Sequence, residues 1–259
     1  MEKLVSEHSP SQGLSRRTLV KSAAWSVPVL ASAVAAPISA ASTACTKTIS
    51  TTTATYSRAS ATASQFTWAN LFGDGKDFTL SLAAAPHGAA NMTINQPNNL
   101  TLYTQQQGGD SLPSVRLSLD TVTLANANGG EQVTFSFALD VDPYTVTDLS
   151  YKIKDIDGVM AKDGLGGAER VSLSVGSGTY NAAWVQGSGT GASPWRLSTS
   201  APSAEVTPDS TAGNVAVTAA LLSSFTLTYD ANNSGRVDPA NQNIWIGPLT
   251  FTVSGTCVP

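Results

Sequence analysis

The sequence predicts an all-β fold: an antiparallel β-sandwich of jelly-roll or immunoglobulin-like type, standing behind a signal peptide. Three observations predict it. Beyond residue 45, apolar residues recur with period two. Clusters of Gly, Pro, Asn and Asp separate these alternating runs, and no segment outside the N-terminal region offers an amphipathic helix.

The signal comes first. A polar leader, residues 1–15, ends in SRRTLVK, with Arg16 and Arg17 adjacent and Leu19 and Lys21 just behind. An apolar stretch follows, broken by Pro28 and Pro37, and Ser39-Ala40-Ala41 then offers a signal-peptidase site. Charged, apolar and small-residue regions in that order make a secretory signal, and paired arginines before Thr-Leu point to the twin-arginine route. A transmembrane anchor is the competing reading, but a span needs about 20 apolar residues and Pro37 cuts this stretch short. A lipoprotein is another, because Cys45 lies nearby, yet Ser42 stands where a lipidation signal wants a branched apolar residue. The expected division is residues 1–41 as a twin-arginine signal peptide and 42–259 as a single β-sandwich domain.

Residues 1–41 hold four of the basic and two of the acidic side chains, leaving ten Lys/Arg against sixteen Asp/Glu and a net charge of −6. That balance argues against nucleic acid and anionic lipid as partners, since both call for basic patches. The two cysteines, Cys45 and Cys257, stand at opposite ends of the exported part. In an oxidising compartment an even pair reads as a disulfide, which requires the first and last strands to lie side by side or to face each other.

The strands read in order are DFTLSLA (77–83), VRLSLDTVTL (115–124), VTFSFALDV (133–141), DLSYKIKDID (148–157), RVSLSVG (170–176), NVAVTA (214–219), FTLTYD (225–230) and NIWIGPLTFTV (243–253). In the fourth, Leu149, Tyr151 and Ile153 fall on one face and Lys152 and Lys154 on the other. The Ser/Thr-rich stretch 51–67 suits a linker by composition, but Tyr56, Phe66 and Trp68 favour strands.

Carboxylates supply the metal candidates, with calcium as the ion. In KDIDG, Asp155 and Asp157 are one residue apart at a strand end, and Asp163 and Glu169 follow; such oxygens suit a hard cation. In DANNSGRVD, Asp230, Asn232, Ser234 and Asp238 with Gly235 echo the start of a calcium loop, although Asn241 replaces the usual Glu and hairpin-turn chemistry explains the same residues. A third pair, Asp140 and Asp142, leads into Pro143 and reads as a strand exit. No cofactor is expected to be required.

Catalysis has little to stand on. Beyond residue 41 His87 is the only histidine, no Gly-x-Ser-x-Gly surrounds a serine, and no signature ties a carboxylate pair together. Aromatic residues offer binding instead. Trp68 and Trp245 sit within apolar runs and read as core, whereas Trp184 and Trp195 flank the Gly-rich loop 187–193 and are the candidates for an exposed sugar platform.

Taken together, LSYKIKDID (149–157) and QNIWIGPLTFTV (242–253) resemble a group of exported bacterial surface domains. There a DID strand lies mid-domain and an IWIG-x-LTF strand closes a jelly-roll or immunoglobulin-like sandwich. The signal resembles those of secreted actinobacterial proteins. The resemblance implies an adhesin-like, non-enzymatic surface module with calcium at Asp155 and Asp157. A carbohydrate-binding protein and a secreted hydrolase of unrecognised type are the alternatives. Expected partners are the twin-arginine translocase and signal peptidase during export, then a cell-wall or host glycan or protein. No nucleic acid is expected, nor membrane after cleavage, and the expected location is secreted or at the surface of a bacterium.

Overall fold

Alternation and turn chemistry together build strands almost everywhere in the computed structural model, which describes residues 43–89, 92–121, 127–139, 144–157, 168–202, 206–233 and 242–257. The strands are β1 (Thr43–Ser50), β2 (Thr55–Ser60), β3 (Ala63–Trp68), β4 (Phe78–His87), β5 (Met92–Ile94), β6 (Thr101–Tyr103), β7 (Ser114–Thr121), β8 (Ala127–Leu139) and β9 (Thr145–Lys154). After them come β10 (Ala168–Leu173), β11 (Ser177–Tyr180), β12 (Val185–Gln186), β13 (Trp195–Leu197), β14 (Val215–Leu222), β15 (Ser224–Asn233), β16 (Gln242–Ile246) and β17 (Thr250–Cys257). The helical content among the described residues is a single 3-10 turn, Thr51–Thr53, capped by Ser50.

Two antiparallel sheets result. The first has nine strands among the described residues: β1-β17-β9-β16-β7-β5 forms the main path, β14 joins β9 on its other side and carries β11, and β6 joins β7. The second has eight, in the order β12-β13-β10-β15-β8-β4-β3-β2. The stretch 51–67 is no linker, since β2 and β3 pair as a hairpin with Tyr56 opposite Phe66.

Both sheets feed one apolar core. Val146, Leu149, Tyr151, Ile153, Phe251 and Val253 come from the first, and Leu80, Leu82, Val133, Phe135, Phe225 and Leu227 from the second. Phe135 and Phe225 stack with ring centroids 4.4 Å apart, while Phe251 meets Phe137 edge-on at 5.0 Å, bridging the layers. Each such side chain contributes roughly 1.5–3 kcal/mol on burial. Trp68 and Trp245 are buried, as the apolar runs around them imply.

The segment NIWIGPLTFTV differs from its reading as one strand. It forms two, β16 and β17, interrupted at 247–249. The amide of Gly247 donates to the carbonyl of Lys152 at 2.8 Å, and Pro248 has no N–H to continue the ladder. Both pieces then lie along β9: β16 pairs with its end, through Trp245 and Lys154, and β17 with its beginning, through Val253 and Val146.

β1 and β17 pair from Thr43 opposite Cys257 to Ser50 opposite Thr250. Cys45 and Cys257 are joined by a disulfide with Cα atoms 5.7 Å apart, as two neighbouring terminal strands allow. Residues 42–259 form one compact unit; residues 1–41 lie outside the described residues. Among the described residues no helix is long and apolar enough to cross a membrane.

Candidate ligand groove on the outer face of the second sheet

Register aligns a row of polar side chains across the second sheet. Gln186 on β12 stands opposite Arg196 on β13, Arg196 opposite Arg170 on β10, and Arg170 opposite Asp230 on β15. Asp230 is opposite Gly130 on β8, and Gly130 opposite His87 on β4. Directly opposed residues share a face. The neighbours Val171, Trp195 and Tyr229 are buried inside, so this row looks outward. Arg170, Arg196, Gln186 and the Gly187–Ser193 turn line an open groove of about 470 Å³, a volume typical of ligand sites.

The charges along the row are not balanced locally. Like charges on directly opposed residues repel, and Arg170 has Arg196 on one side. On its other side Asp230 is engaged elsewhere: its Oδ1 lies 2.8 Å from His87 Nδ1. Gly130 makes that reach possible, because a Cβ there would come within 2.8 Å of Asp230 Oδ1 and 1.9 Å of the Tyr229 carbonyl oxygen. Among the described residues neither arginine lies within 4 Å of a carboxylate oxygen. Arg170 Nε is buried and has no hydrogen-bond partner among the described residues.

The tryptophans behave differently from the platform expected of them. Trp195 is 1% exposed and cannot stack on a sugar. Its indole sits between Gly178 on β11 and Gly189 in the Gly-rich turn, where an added Cβ would approach the ring to 2.5 Å and 2.3 Å. The glycines therefore make room for a buried ring that spans the two sheets. Trp184 is half-buried and packs against the core, with its amide bonded to the Asn181 carbonyl at 2.9 Å.

The carboxylates proposed for calcium divide between two places. Asp230 belongs to the outer row with His87. Asp155 follows the end of β9 with φ +68°, so strand alternation no longer sets its direction. Asp157 is tied to two other segments: its Oδ2 accepts the Val206 amide at 3.2 Å, and its own amide donates to Glu169 Oε2 on β10 at 3.1 Å. Glu169 Oε1 in turn accepts the Tyr229 hydroxyl at 2.6 Å. Burial pushes the Glu169 carboxyl well above the usual range, and the charge of Asp157 adds to it. Among the described residues no three His, Cys, Asp or Glu side chains are grouped to hold a metal ion. Asp163, Asp238 and the Asn232 side chain lie outside the described residues, as do Asp140 and Asp142.

Among the described residues His87 and Asp230 form a histidine–carboxylate pair of the kind a hydrolase employs, joined through Nδ1. Among the described residues no hydroxyl or thiol hydrogen-bonds to His87. The arginines were missed in the sequence, where Arg170 stands within RVSLSVG and Arg196 beside Trp195. The signal lies in cross-strand register, which one chain read alone does not display.

These features define a class: an all-β protein of two antiparallel sheets, stapled at its ends by a disulfide, with a cationic groove on one outer face. No protein-family model matches the chain, and neither does a curated protein or a solved structure.

Proposed function

We propose that this chain is a non-catalytic binding module of a bacterial surface or its surroundings, with an adhesin-like, jelly-roll or immunoglobulin-like sandwich that takes its ligand in the Arg170–Arg196 groove. The observation that carries the reading is the pair of guanidinium groups side by side at the groove, without a carboxylate partner among the described residues. Holding two cations together on a sheet face costs stability, a cost that a bound ligand would offset. Export through Arg16 and Arg17 fits the rest of the chain. Cleavage beside Ala41 leaves β1, which starts at Thr43, intact, and the Cys45–Cys257 bridge suits an oxidising compartment.

A glycan array probed with the protein recovered from culture medium tests the proposal. Binding is expected, with a loss of about tenfold or more for Arg196→Ala, the size of one charge-assisted contact. An array that stays blank, or binding that survives loss of both arginines, sinks the groove as the ligand site.

A further inference from the structure

We infer that the ligand of this groove is a sugar carrying a carboxylate, gripped by Arg170 and Arg196 together, and that His87 is a positioning residue that keeps Asp230 from competing for Arg170. The inference rests on the reading of the groove as the ligand site.

Three features select the chemistry. First, Arg170 and Arg196 both line the groove, and among the described residues neither is paired with a carboxylate. A carboxylate of the ligand supplies the acceptor for their terminal nitrogens, because a planar guanidinium fork matches a planar carboxylate in a bidentate grip; Arg170 Nε itself is buried out of its reach. Second, the rest of the lining is uncharged: Gln186 and Ser193 are polar, and Gly187, Gly191, Ala192 and Pro194 complete it. The Gln186 side chain makes no hydrogen bond within the described protein, and the tip of the turn at Gly191 is open, with nothing within 4 Å of where a Cβ would stand. The Gln186 amide and the Ser193 hydroxyl suit the hydroxyl groups of a sugar, and Ala192 and Pro194 supply only a small apolar edge. Third, the net charge of −6 over 42–259 repels a dense polyanion, so a single acidic group among neutral hydroxyls fits better than nucleic acid or polyphosphate.

Asp230 is the internal rival. It stands directly opposite Arg170, where a cross-strand ion pair would ordinarily form. Its carboxylate instead crosses the gap left by Gly130 to His87. Removing the imidazole frees Asp230 to turn toward Arg170 and occupy the donors that the ligand needs.

Gel retardation in pectin tests both parts, because methyl esterification removes the carboxylates from the same sugar backbone. Lightly de-esterified pectin is expected to retard the protein and fully methylated pectin is not. Arg170→Lys, which keeps the charge and loses the fork, should weaken retardation several-fold, and Arg170→Ala about tenfold or more. His87→Ala should also weaken it, and His87→Ala/Asp230→Asn should restore it. A thermal-unfolding scan of each variant separates these effects from misfolding. Equal retardation by both pectins overturns the carboxylate while leaving the binding module standing. Retardation by dextran sulfate alone transfers the site to sulfate and overturns the inference as stated. A protein that binds the glycan array but neither pectin overturns it too, whereas a blank array is the failure of the underlying proposal. A His87→Ala variant that binds like the parent removes the role given to Asp230.

Discussion

Glu131 shows how far one side chain can shape the behaviour of the whole. It lies on β8 two residues before Val133 and shares its inward face, fully buried. One oxygen accepts the Asn99 amide at 2.7 Å. Burial pushes its carboxyl from the ordinary 4.5 up to about 8, against the smaller pull of Asn99 and the Ser118 amide. Across β15, Glu169 is raised for the same reason. The folded protein therefore keeps protons that the unfolded chain has released. Stability from these acids is fully present below the unfolded value, and for Glu131 it is lost as pH climbs through about 8. The urea midpoint is expected to fall between about pH 5 and about pH 8, and Glu131→Gln should recover part of that fall, on the order of a few kcal/mol. A midpoint flat over the range would contradict the account. Glu131 is in phase with Val133 and Phe135, and Glu169 with Val171, but the alternating runs legible in the sequence start at 133 and 170, just past both acids, while the strands start at Ala127 and Ala168.

At the scale of elements, β9 separates what alternation reveals from what it conceals. Tyr151 and Ile153 face the core and Lys152 and Lys154 the other side, as their spacing predicts. Lys154 is nevertheless fully buried, because segments distant in sequence fold over it. A Cβ on Gly108 would stand 2.8 Å from the Lys154 Cβ, and Asn214 bonds the Gly108 carbonyl at 2.8 Å. Lys154 Nζ bonds Asp110 and, at 3.1 Å, the Ser114 hydroxyl. Burial acts to raise the Asp110 carboxyl. The bond from Lys154, the Leu112 amide and the charges of both lysines outweigh it, so Asp110 titrates below the usual range. Asp110→Ala strands a buried cation and is expected to cost about 3 kcal/mol or more. Lys154→Met, which removes the charge, should cost less in the same urea series. If Asp110→Ala unfolds at the parent midpoint, Lys154 has solvent or another partner there. Strands, turns and core residues were thus legible in local spacing. The buried ion pair and the Arg170–Arg196 row were not, because loop crossings and the order β13-β10-β15 are set by long-range pairing. The Gly-rich turn was legible as a feature and misread in purpose, since its glycines seat Trp195.

For the molecule as a whole, the two cysteines settled most in advance: residues 212 apart must meet, and the strands that carry them pair along their full length. Closing that loop removes conformational freedom from the unfolded chain worth about 5 kcal/mol in a chain-entropy treatment. The folded state gains little from it locally, because eight residue pairs already hold β1 to β17. The bridge should then act mainly on the unfolded ensemble. Cys45→Ser/Cys257→Ser is expected to retain the fold by circular dichroism but to unfold at much lower urea, with a steeper dependence on denaturant as the open chain exposes more surface. Reduction of the parent protein should reproduce both changes, and mass spectrometry of non-reduced peptides should recover Cys45 linked to Cys257. A serine variant with the parent's midpoint and slope would show that the paired strands alone restrain the ends, and would shift the source of stability from the covalent staple to the ladder beside it.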